Sequence, residues 1–102
     1  MAEFTRLDKK GLDGFWIESS LAVDKISLHL SQIEPGTSSH PPHTHTGVEA
    51  FYVLEGSGVV EVEGEKIAIS ANQAVAVDPT RLHGLSNTGS VPMKYLVIIT
   101  KP

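Results

Sequence analysis

Apolar and polar residues alternate along most of this chain in short runs such as "ISLHLSQI", "VEAFYVLE" and "MKYLVIIT", each ended by turn residues. A period of two puts every second side chain on one face of a strand, whereas an amphipathic helix needs a period between three and four. The alternation predicts strands over 25–33, 49–54, 58–63, 66–70, 74–77, 83–87 and 93–100. Between them lie "EPG", "EGSG", "EGE", "DPT" and "NTGSVP", and "VEVEGEKIAI" reads as a hairpin turning at Gly64. Only 20–25 offers a weak helical stretch. Short strands in such number must close on themselves or stack in two layers to bury their apolar faces, so the chain is expected to be all-β, a sandwich or small barrel.

A chain of 102 residues supports a single core, so an active site must sit within it or at a subunit interface. Residues 1–24 carry Phe4, Leu7, Leu12, Phe15, Trp16 and Ile17 without a regular period, and are read as an N-terminal arm or edge strand ahead of a barrel over 25–102. Eight Lys and Arg against twelve Asp and Glu leave a net charge of -4 and no basic stripe, so no nucleic-acid partner is expected. Without cysteine, iron-sulfur and thiolate sites are excluded, and any metal must be held by nitrogen and oxygen. No apolar run has the length of a signal peptide or membrane span, which predicts a cytoplasmic protein with no membrane partner.

Three of the five histidines fall in "HPPHTHTGVEAF". On a strand His43 and His45 point to the same side and can chelate one center. Glu49 shares its face with Phe51 and Val53, where a carboxylate is costly unless paired or coordinated. His83 follows the "DPT" turn. Three imidazoles and one carboxylate suit one divalent first-row ion per chain, Mn, Fe, Co, Ni, Cu or Zn, with two octahedral positions left open. Taken singly, each of these residues reads as an ordinary loop, strand or turn residue; their conjunction raises the metal reading. His40 is either an outer partner of the site or an exposed loop residue. Phe51 and Val53 either line a pocket or fill the core, and Arg81 is either an anion contact or a solvated turn residue. Asn87 is expected to stabilise its turn, His29 to lie on a polar strand face, and only one of Lys94 and Tyr95 can face inward.

The spacing H-x-H-x3-E-x6-G, carried by His43, His45, Glu49 and Gly56, with Gly36 ahead of it, resembles the first motif of the cupin superfamily. His83 and Asn87 match the H-x3-N of the second, whose proline and second glycine fall at Asp78 and Thr80. The resemblance, to small single-domain cupins, spans residues 26–100. It implies a jelly-roll β-barrel, also called a double-stranded β-helix, with the metal on His43, His45, Glu49 and His83 inside the barrel mouth. It also implies a small-molecule ligand and, with the surplus apolar surface of the arm, a homodimer. Resemblance to cupin dioxygenases would let Glu49 double as a catalytic base. The function expected is that of a metal-dependent enzyme on a small oxygenated organic molecule, either a dioxygenase or a sugar or keto-acid isomerase. The alternative is a non-catalytic metal-dependent module that binds a sugar or organic acid.

Overall fold

The computed structural model describes residues 1–39 and 44–101. Every regular element among them is a strand: β1 (Phe4–Leu7), β2 (Phe15–Glu18), β3 (Ile26–Ile33), β4 (Val48–Glu55), β5 (Ser57–Val62), β6 (Glu65–Ser70), β7 (Ala74–Val77), β8 (His83–Ser86) and β9 (Met93–Thr100). The seven expected strands are present as β3 to β9, with ends that agree to within one residue. The 20–25 stretch is two turns, closed by Leu21 N–H to the Glu18 carbonyl and Lys25 N–H to the Ala22 carbonyl.

The strands form two antiparallel layers, ordered β3-β9-β4-β7 and β6-β5-β8, with β1 and β2 paired as a separate hairpin. The described strands do not join into one hydrogen-bonded cylinder, so the expected jelly-roll takes the form of facing sheets. The chain crosses between layers after β3: Ser38 bridges Ser86, and Gly36 N–H donates to the Asn87 carbonyl. The hairpin β5–β6 turns at Glu63 and Gly64, whose φ of 48° and 86° are the paired positive values of a type I′ turn. Asn72, in the turn between β6 and β7, takes φ 67° and is a residue type that tolerates that conformation.

Strand parity decides the core. On β4, Glu49, Phe51 and Val53 are buried and alternate with more exposed neighbours. On β9, Met93, Tyr95 and Val97 point inward and Lys94 outward. Val60, Ile69 and Leu85 meet them from the second layer. Burying an apolar side chain of this size contributes about 1.5–3 kcal/mol. This packing holds the two layers at a fixed spacing and keeps the mouth between β3, β4 and β9 in shape.

Candidate metal centre and cavity

Two local devices bring the candidate ligands together. Gly47, at φ 99°, lets the backbone pass against Thr100, whose carbonyl oxygen a Cβ would strike, so the chain can turn from the histidine segment into β4. The "DPTR" segment folds as a turn, with Thr80 N–H and hydroxyl donating to Asp78 Oδ1 and Arg81 N–H to the Asp78 carbonyl. The Thr80 hydrogen bonds hold the Asp78 carboxyl below its usual range. Pro79 in that turn accepts the His45 N–H at 2.7 Å, which ties the histidine segment to the approach of β8.

The result is a convergent group. Glu49 is 4% exposed, and its Oε1 lies 2.6 Å from His83 Nε2 and 3.3 Å from His45 Nε2. The two imidazoles stand edge to face with ring centers 5.1 Å apart. His83 Nδ1 lies 2.9 Å from the Arg81 carbonyl and His45 Nδ1 lies 3.2 Å from the Thr46 carbonyl. A carbonyl only accepts, so both Nδ1 atoms carry hydrogen and both Nε2 atoms can turn lone pairs toward Oε1. Converging lone pairs repel unless a proton or a cation lies among them. One donor atom from each of His45, Glu49 and His83 can be chosen with all three inside 4.8 Å of one another, and these residues could hold a metal ion. This is the chemistry a nitrogen and oxygen site offers to a first-row divalent ion. His43 and His40 lie outside the described residues.

The group opens onto a cavity of about 620 Å³, whose walls include His45, Glu49, Phe51, Tyr95, His29 and Ser31. Phe51 both lines this cavity and belongs to the core, edge to face with Tyr95. Val53 is fully buried among apolar neighbours and stays in the core. Arg81 turns to solvent, where its guanidinium donates to Glu63 at 2.9 Å across the β5–β6 turn. That hydrogen bond raises the arginine and lowers the carboxyl from their ordinary values, so Arg81 is occupied away from the cavity.

Residues that the sequence left unassigned complete the cavity. His29 sits on β3 beside Val97 of β9, and the strand face that carries it lines the cavity. Burial, followed by the charge of Lys10, lowers its pKa. Burial raises the Tyr95 pKa, against hydrogen bonds from Ser31 and Ser39. Among the described residues no helix is long and apolar enough to cross a membrane.

Comparison with known proteins agrees with this architecture. The family model described as "Cupin domain" matches residues 29–99. The chain is 33% identical over 77 residues to the oxalate-binding protein of Thermotoga maritima, covering 74% of this chain and 64% of that one. The crystal structure of a putative sugar phosphate isomerase from Acidithiobacillus ferrooxidans superposes with a TM-score of 0.66 at 34% identity, over 76% of this chain and 51% of that one. A predicted oxalate decarboxylase from Thermotoga maritima shares the fold at a TM-score of 0.72 and 23% identity, over 99% of this chain and 94% of that one. The chain spans 52% to 64% of the length of the first three curated relatives it matches.

Proposed function

Because the chain belongs to the cupin family, we propose that His45, Glu49 and His83, together with His43, hold one divalent transition-metal ion per chain and serve a metal-dependent enzyme acting on a small oxygenated organic molecule. The observation that carries this is the buried Glu49 carboxylate, facing two Nε2 atoms, on the wall of a cavity. When bound, such an ion polarises an oxygen of the substrate as a Lewis acid. The protein's own groups do the rest. His29, whose pKa is held low, is kept as a neutral base, and the Tyr95 hydroxyl, held protonated by burial, is a donor on the same wall. A base and a donor facing one chamber favour proton transfer, the isomerase class, over oxygen-dependent cleavage. Glu49, whose Oε1 engages both imidazoles, acts in this reading as a holder of the ion rather than as the base.

A second reading has its own support. Similarity to a protein named for binding oxalate favours a non-catalytic module that captures a sugar or organic acid through the same ion. Elemental analysis of protein purified without chelator, followed by a turnover screen on sugar and keto-acid substrates with Mn, Fe, Co, Ni, Cu and Zn reconstitutions, separates the two. Stoichiometric metal with solvent-deuterium incorporation into substrate supports the enzyme. Stoichiometric metal with saturable binding and no turnover supports the module, and no stoichiometric metal after reconstitution defeats both.

The protein is further proposed to be a cytoplasmic homodimer. The outward face of the first layer is apolar along two rows, Leu28, Ile98 and Ala50, then Leu30, Leu96 and Tyr52, and Phe4 and Trp16 are 61% and 59% exposed on the hairpin. A monomeric mass by light scattering would remove the dimer.

A further inference from the structure

Lys10, in the β1–β2 connection and outside the matched family region, is seated against the edge of the cavity by three contacts. Its carbonyl accepts the Leu30 N–H at 2.8 Å, its Nζ donates to the Ser31 hydroxyl at 3.0 Å, and the Gly11 that follows lacks the Cβ that would lie 2.5 Å from the Leu30 carbonyl oxygen. Lys10 makes no ion pair among the described residues, whereas Lys101, also on the cavity wall, has its ammonium 3.8 Å from Asp24. The ammonium thus faces a chamber whose other walls bring Ser31, Ser39 and Tyr95 to the same end. Ser31 stands on β3 opposite Tyr95 and Glu49 on β4 opposite Ile99, so two strand spacings and a four-residue offset along β9 separate them by roughly 16 Å.

We propose that this end of the cavity is an anion subsite, in which the Lys10 ammonium and the Ser31 and Tyr95 hydroxyls receive the carboxylate of a small organic acid. The proposal rests on the reading of this cavity as the ligand chamber. One ammonium flanked by hydroxyls matches a single negative charge, and a charge-assisted hydrogen bond is stronger than a neutral one. In a chain of net charge -4, this local cation selects acids over neutral sugars of the same size.

The test is a nuclear magnetic resonance titration with propionate and, as its neutral counterpart, 1-propanol, on zinc-loaded and on chelator-treated protein. Propionate is expected to shift the Lys10, Ser31 and Tyr95 amides saturably in both forms and 1-propanol to leave them unmoved. In Lys10→Met the propionate Kd is expected to rise about tenfold, while Lys10→Arg retains binding and Lys66→Met, which removes the same charge from β6, leaves it unchanged. Unmoved amides, equal shifts with 1-propanol or an unaltered Kd in Lys10→Met would each overturn the subsite. The chelated form keeps this outcome separate from the metal reading, which elemental analysis decides.

Discussion

Glu49 Oε1 and His83 Nε2 stand 2.6 Å apart although one residue belongs to the four-stranded layer and the other to the three-stranded layer. The contact therefore joins the two sheets at the cavity end and depends on both keeping their positions. The Arg81 carbonyl, by accepting the His83 Nδ1 hydrogen at 2.9 Å, fixes which nitrogen faces the carboxylate.

Replacing Glu49 by Gln keeps the shape of the side chain and removes its charge. Loss of a partner that merely orients a metal ligand weakens binding by roughly 10 to 100-fold, so loss of the ligand itself is expected to weaken it by at least about 100-fold. Competition with a chromophoric chelator measures this on the folded variant. Retention of wild-type affinity in Glu49→Gln would remove the carboxylate from the site.

Asn87 carries a different burden. It is 1% exposed, its Nδ2 donates to the Ile33 and Val91 carbonyls, and its Oδ1 accepts the Gly89 N–H. Asn87→Ala leaves buried partners unsatisfied and is expected to cost about 3 kcal/mol, read as a lower urea midpoint. Metal stoichiometry of the folded fraction should stay the same, because Asn87 holds the turn after β8 and touches none of the donors.

The layered β architecture was legible in the alternation because β4 and β9 bury one face each, and Glu49 stood out as a carboxylate on the inward parity of β4. The same logic does not extend to β3. There the outward face carries Ile26, Leu28 and Leu30 while the inward face carries His29 and Ser31, because that wall lines a polar chamber rather than a dry core. Apolar parity alone therefore does not tell which face of β3 is the inward one. The pairing of β1 with β2 within the N-terminal segment was not legible because Phe4 and Trp16 lie exposed and leave no period to read. Arg81, adjacent in sequence to the site, turns away because Glu63 offers it a partner from another turn, which no local pattern reveals.

Gly11 tests how the β1–β2 connection is fastened to β3. At φ +78°, a side chain costs about 1–2 kcal/mol in backbone strain, and the new Cβ would meet the Leu30 carbonyl oxygen at 2.5 Å. Gly11→Ala is therefore expected to lift the connection from β3 and free the Leu30 N–H, which donates to the Lys10 carbonyl. Hydrogen exchange at Leu30 should quicken while the β4–β9 amides keep their protection. Unchanged exchange at Leu30 would show that the connection is held by other means.

His29 predicts a pH dependence with a defined sign. Burial, then the charges of Lys10 and Lys9, lower its folded pKa from the ordinary value near 6.5, and Glu49 opposes them in part. Other titratable groups around the chamber are His45, Tyr95 and Lys101. When pH falls below about 6.5, the unfolded chain binds a proton that the folded chain still refuses, so the unfolded state gains. The neutral His29 thus contributes stability that is present above that value and lost as pH falls toward the lower folded pKa. His29→Gln removes this dependence. In metal-free protein, the wild-type stability measured by urea unfolding should fall more steeply than that of the variant as pH drops from neutral. Parallel profiles for the two would mean that the chamber does not hold His29 neutral.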